Sequence, residues 1–447
     1  MLQLNIGPLG FRRHQAVMLG LFIVELGFYT VYANRLGPYL SASLFFVSSL
    51  GIGLYPLWCA RQAPYSPDRL QFRQVTVPRL LVGQVLFGLG AVVLAVKQLA
   101  IIRAFPLDYH LSDVIPSVDQ FVTRFLQGEK VYGRDIAYPE YSIIPNYLPF
   151  QWLPMTFSKW AQIDLRWSAL LMCVTGIVAY EWAVLKANVR WGPLLGWLAL
   201  PLVALGLMMQ HRPDVFGYTV EPMVMGYYLL LGCSLMSRSI GFRAVALLLC
   251  GLSRFSLLLW VPLYLLILFC EEPRARTWRL LAYCVVGVLL VYIIPFMSQN
   301  WTAPFRAMQA YETAALGEWA GQAWQEPGAK PFQLFQGYGF AAFFHDFGGG
   351  ALLDRLHSLQ RTHLWLSLAA VVAMGVLFFR YRRRIDSRYF ALISLKVYFA
   401  FFYNFIQVPY GYLFIVPVML SVVVIFFLPF ARSASTEVPL DQPEIHG

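Results

Sequence analysis

The fold turns on residues 103–146, RAFPLDYHLSDVIPSVDQFVTRFLQGEKVYGRDIAYPEYSIIPN, a polar and turn-rich stretch that follows three long apolar runs at 15–33, 38–60 and 79–102. It carries the carboxylates Asp108, Asp113, Asp119, Glu129, Asp135 and Glu140. A bilayer core admits only helices and closed barrels, because an unpaired backbone N–H or C=O finds no water there. A long irregular segment between apolar helices therefore belongs at or outside the lipid surface, where its acidic side chains stay hydrated.

Composition points the same way. The chain has 447 residues, 59% of them hydrophobic and 13% charged, with a mean hydropathy of +0.59. No soluble domain hides that much apolar surface, so an all-α polytopic integral membrane protein is expected. The net charge of +11 does not indicate nucleic acid, since the basic residues lie in short connectors between apolar runs, as the positive-inside rule requires. The cysteines Cys59, Cys173, Cys233, Cys250, Cys270 and Cys284 all sit in or beside apolar runs without CxxC spacing, which suits inert core thiols. Arg12, Arg13 and His14 precede the first apolar run in the charge order of a signal peptide. That run is too long for one, and an uncleaved first span is expected.

Further runs suited to crossing are 165–185, 191–210, 218–237, 280–298, 363–380, 388–407 and 409–430. Residues 241–270 read as two short spans, 241–253 and 255–270, because a single helix would leave Arg274, Arg276 and Arg279 on the outer side. The expectation is a single transmembrane domain over 1–430 with about 12 helices, both termini in the cytoplasm and a disordered tail over 431–447. Two large external loops remain, 103–146 and 299–362, while 147–163 reads as a re-entrant or interfacial helix or a short crossing. In the second loop Phe305, Met308, Leu316, Trp319 and Ala323 share one helical face opposite Glu312 and Glu318, the pattern of a helix lying in the headgroup plane or packed on the protein's own surface.

From Ser112 the first loop runs through Asp113, an amphipathic segment around Phe121–Leu126, Gly128 with Tyr132, and Tyr138-Pro139 to Pro145 and Pro149. This order of acidic residue, short helix, glycine turn and Tyr-Pro-rich entry resembles the GT-C superfamily of membrane glycosyltransferases. The resemblance implies a multi-helix fold with interfacial helices, a polyprenyl-phosphate sugar as donor, an acceptor on the extracytoplasmic face, and inversion at the anomeric carbon. It places Asp113 as the general base, with Asp108 and Asp119 as rivals.

Arg254 is the lone charge in AVALLLCGLSRFSLLLWVPLYLLILFC, residues 244–270. A charge at such a position marks a functional site, and a guanidinium suits a carrier phosphate through its bidentate fork. A buried pair with a loop carboxylate is the structural alternative. The segment HRPDVFGYTVEP adds His211, Arg212, Asp214 and Glu221, expected to position substrate or acceptor; a divalent metal on Asp214 and Glu221 stays open, beside helix capping. Near the last outer turn Tyr410 and Tyr412 could stack on a sugar or belong to an interfacial aromatic belt.

The expected function is glycosyl transfer from a polyprenyl-phosphate carrier in a multi-pass bacterial plasma membrane. Two other classes stay open. An envelope polysaccharide ligase or polymerase would use Arg306, Arg355, Arg361, His345, His357 and His363 of the second loop. A secondary transporter would show repeated halves and polar midplane sites.

Overall fold

The computed structural model describes residues 8–31, 33, 35–62, 74–187, 189–321 and 328–428. The fold opens with α1 (Pro8–Thr30), α2 (Gly37–Gln62) and α3 (Val77–Ala104). The acidic loop follows with α4 (Val114–Leu126) and a short antiparallel hairpin, Ile136–Ala137 against Ser142–Ile143. Its exit is folded into two brief helices, α5 (Pro149–Trp152) and α6 (Thr156–Trp160), so 147–163 does not cross. Next come α7 (Arg166–Lys186), α8 (Trp191–His211), the short α9 (Pro213–Tyr218), α10 (Glu221–Met236), α11 (Ile240–Gly251), α12 (Val261–Glu271) and α13 (Arg274–Val288). The second loop holds α14 (Ala303–Ala320) and α15 (Ala341–Phe347), after which α16 (Leu352–Tyr381), α17 (Ser387–Asn404) and α18 (Ile415–Phe426) follow.

Among the described residues, six helices are long and apolar enough to cross a membrane: α2, α3, α7, α8, α13 with its continuation to Ile293, and α16. The expected count of about twelve is thereby corrected. Helices α10, α11, α12 and α18 are apolar but have only 16, 12, 11 and 12 residues, short of the ~20 that a hydrocarbon core demands. Helices α1 and α17 carry Glu25 and Lys396 inside their apolar runs. Hydropathy along a sequence counts apolar residues, whereas crossing needs them in one continuous helix.

The short apolar helices are interior elements. Every residue of α18 is buried, and α10 packs against α7 through glycines: a Cβ on Gly226 would lie 2.3 Å from the Met172 carbonyl oxygen, and one on Gly176 would lie 2.5 Å from that of Gly226. Such small-residue contacts let helix backbones approach closely where lipid supplies no hydrophobic drive. By contrast α3 leaves Val85, Leu89, Val92 and Val96 exposed, the surface expected of a helix against lipid. Deep in the bundle, Lys396 Nζ donates to Glu25 Oε1 (2.6 Å), Ser49 Oγ (2.7 Å) and the Pro417 carbonyl (2.8 Å), so all its protons are bonded. This fully buried pair ties together α1, α2, α17 and α18.

The two ends of the bundle differ in charge. At one end the basic connectors meet: Arg79 donates to the Ala187 and Val189 carbonyls, Arg276 to Arg238, and Arg388 to Met236, while Arg243 pairs with Glu272 at 2.5 Å. The opposite end carries both large loops. The expected division of 241–270 is present as α11 and α12, with Arg254 at the break.

Helix α14 divides the apolar face read from its sequence. Phe305 and Met308 are 72% and 76% exposed, whereas Trp319 is buried beside Ala315, Leu334, Leu356 and Val408. Ala323 and the tail 431–447 lie outside the described residues.

Candidate functional site

The break that presents Arg254 is made by local backbone bonding. After α11 stops, Ser253 Oγ and Arg254 N both donate to the Cys250 carbonyl at 2.9 and 3.0 Å, and Phe150 N donates to the Leu252 carbonyl at 2.9 Å. The loop thus satisfies the carbonyls of a helix end that cannot be left bare. The Arg254 guanidinium bonds to the carboxylate of Glu221, which opens α10 and is 2% exposed against 27% for the arginine. Arg254 Nε is buried and has no hydrogen-bond partner among the described residues. Four phenols, Tyr147, Tyr311, Tyr403 and Tyr412, lie within electrostatic reach of this guanidinium.

Asp113 approaches from the first loop. It sits just before α4, its carbonyl accepts from Ser117 N at 2.8 Å, and its carboxylate accepts from the Tyr141 hydroxyl at 3.5 Å. Partial burial raises the carboxyl above the usual carboxylate range, and the hydrogen bonds to its own backbone and to Tyr141 offset only part of that. Tyr147 and Tyr412, which feel Arg254, also feel Asp113. Residues distant in sequence therefore act electrostatically on the same two phenols.

The rivals to Asp113 do structural work. Asp108 Oδ1 accepts from His110 N at 3.0 Å and closes its own turn, while Asp119 is held by Lys159 at 2.7 and 2.9 Å.

A cavity of about 560 Å³ lies beside these phenols, with Ser112 and Tyr412 in its wall. Of the residues expected to position substrate, Arg212, Asp214, Tyr410 and Tyr412 line it. Arg212 forks onto Asp214 at 3.2 and 2.9 Å and donates to the Tyr338 hydroxyl at 2.6 Å. Tyr410 and Tyr412 stack at 5.2 Å with 9° between their planes, and the Tyr410 hydroxyl donates to Glu318 at 3.1 Å. His211 is an exposed residue at the end of α8 and is not among the lining groups. Glu221, expected near the acceptor, is committed to Arg254 instead.

Among the described residues no three His, Cys, Asp or Glu side chains gather in one place. Asp214 and Glu221, the ligands named for a metal, each meet an arginine. Of the second-loop cations, Arg355 donates to the carbonyls of His345 and Gly350, Arg306 lies 3.8 Å from Asp135, His363 packs on Phe402, and His357, which meets Glu312 at 2.8 Å, lines a cavity of about 480 Å³ together with Arg361. Sequence reading passed over Tyr147, Tyr311, Lys330 and Tyr338. The chain has 25 tyrosines, and no spacing among them distinguishes these.

No protein-family model, curated protein or solved structure matches this chain.

Proposed function

We propose that the protein is a membrane glycosyltransferase that moves a sugar from a polyprenyl-phosphate carrier to an acceptor hydroxyl at the end of the bundle carrying the two large loops. The observation that carries this reading is that Asp113 and Arg254 act on the same two phenols, Tyr147 and Tyr412, and that Arg254 Nε has no hydrogen-bond partner among the described residues. A carboxylate and a guanidinium flanking one space are what the reaction asks for. The acceptor oxygen bonds to the anomeric carbon as its proton passes to Asp113. The bond from that carbon to the phosphate oxygen breaks, its electron pair stays on the phosphate, and Arg254 stabilises the charge that develops there. Glu221 aims the guanidinium until the phosphate arrives.

Two observations favour this reading over its competitors. Of the second-loop arginines and histidines available to a polysaccharide ligase, His357 and Arg361 line a common cavity, whereas Arg306 meets Asp135 and His363 packs on Phe402. The Lys396–Glu25 pair, the charged group that a transporter would use at mid-bundle, has every ammonium proton bonded.

The test is consumption of radiolabelled polyprenyl-phosphate sugars by the purified protein in detergent. Asp113→Asn should lower turnover by roughly 10²-fold or more while the donor still binds. Because burial raises the Asp113 carboxyl, the acid limb of kcat/KM should fall above the ordinary carboxylate range: the base is lost as pH drops through that raised value. Full activity of Asp113→Asn, or no consumption of any carrier sugar, would refute the assignment.

A further inference from the structure

The cavity beside Tyr412 has a property that glycosyl transfer does not by itself require, which is that its charges cancel in pairs. Arg212 commits Nε and Nη2 to Asp214 and Nη1 to the Tyr338 hydroxyl, and its guanidinium lies 5.6 and 5.4 Å from the ring centres of Tyr29 and Tyr338. Lys330, the other cation in the wall, bonds to the carboxylate of Asp346, which also accepts from Tyr39 and meets His345. Burial would raise the Asp346 carboxyl, yet these partners hold it down at about 2, so it stays ionised and keeps Lys330 matched at any ordinary pH. Each cation in the wall thus already faces a carboxylate, which lowers the gain an anionic ligand would find there.

The remaining wall offers neutral recognition. The Tyr218 and Tyr412 hydroxyls make no hydrogen bond among the described residues. Gln336 Nε2 donates to Gln333 Oε1 at 2.7 Å, which leaves each amide with an unused group. Stacked phenol faces complete the lining. Hydroxyl donors and acceptors alternating with C–H faces are the surface of a sugar ring, and a volume of about 560 Å³ suits a small ligand.

We infer that this cavity is the subsite for an uncharged sugar ring of the acceptor, held by Tyr218, Tyr412 and the Gln333–Gln336 pair, with Tyr412 standing between that ring and Asp113 and Arg254. The role as acceptor site rests on the transferase reading, whereas occupancy by a neutral sugar does not.

The experiment is equilibrium binding to the full chain in phosphatidylcholine nanodiscs, read by competition saturation-transfer NMR. The probes are methyl glycosides of glucose, galactose, mannose and N-acetylglucosamine, each against its 6-phosphate, and methyl glucuronide. At least one neutral glycoside should bind, with its charged counterpart weaker by about tenfold or more. Tyr412→Ala and Gln333→Ala should each weaken the neutral ligand, with Tyr412→Phe as a milder version that preserves the ring stack. Asp214→Asn, which leaves Arg212 uncompensated, should narrow the gap to the charged probes by about tenfold. Binding of charged probes equal to or tighter than neutral ones, or no binding by any neutral glycoside, would overturn the inference. So would an unchanged preference in an Asp214→Asn protein that still binds the neutral ligand normally. Neutral glycoside binding that survives in Asp113→Asn, alongside a wild-type protein that transfers nothing, would uphold the subsite and remove the transferase reading.

Discussion

Arg254 and Glu221 make different demands on stability and on function. A carboxylate as enclosed as Glu221 costs several kcal/mol to desolvate, and the guanidinium against it is what makes burial tolerable. Arg254→Leu alone should therefore destabilise the protein by roughly 3–5 kcal/mol, since it leaves Glu221 buried and unpaired. Arg254→Leu combined with Glu221→Leu should recover most of that loss, yet both proteins should fail to bind the carrier phosphate. Denaturant unfolding in mixed micelles together with donor binding checks this. A double variant as unstable as the single one would mean the pair is not the source of the cost, and normal donor binding in the double variant would remove the phosphate role. The sequence exposed Arg254 because it is the lone charge in a long apolar run. It could not show Glu221 as the partner, because the helix between them decides which carboxylate returns to the break.

Among the elements, α14 is where periodicity was least sufficient. Its pattern allowed both a headgroup-plane helix and one packed on the protein, and the fold buries one end of the helix while leaving the other exposed. Trp319 near the C-terminal end is buried and donates its ring N–H to the Gln407 carbonyl at 2.8 Å. Trp301, Phe305 and Met308 at the other end stay exposed one turn apart. Spin labels at positions 305 and 308 should collide more with oxygen than with a water-soluble nickel chelate, and a label at 313 should show the reverse. Equal water exposure at all three would mean the helix does not rest in lipid. Helices α10 and α18 teach the complementary lesson: a helix hydrophobic all round can be a core element of the bundle, and its length has to be known to tell.

For the molecule as a whole, the separation of charge between the ends predicts orientation. Lys130→Cys and Ala329→Cys, exposed in the two large loops, should react with an impermeant maleimide in intact cells. Arg383→Cys at the basic end should react only after permeabilisation. Labelling of Arg383→Cys in intact cells with both loop positions silent would invert the topology and move the proposed site to the other face of the membrane.

Composition and charge spacing alone determined that this is a helical membrane protein with an acidic loop at one end and basic connectors at the other. Those properties follow from the free energy of transferring each residue to hydrocarbon, which is local and nearly additive. The split at Arg254 was legible for the same reason. Tertiary structure decided which apolar runs are long enough to span, that Asp119 is held by Lys159 while Asp113 faces Tyr141, and that Glu221 belongs to Arg254 rather than to the cavity beside Tyr412. These depend on where helices stop and which loops fold over them. Contacts such as Gly176 on Gly226 and Tyr412 beside Arg212 in one cavity wall arise from packing distant segments together, information that no single window of sequence contains.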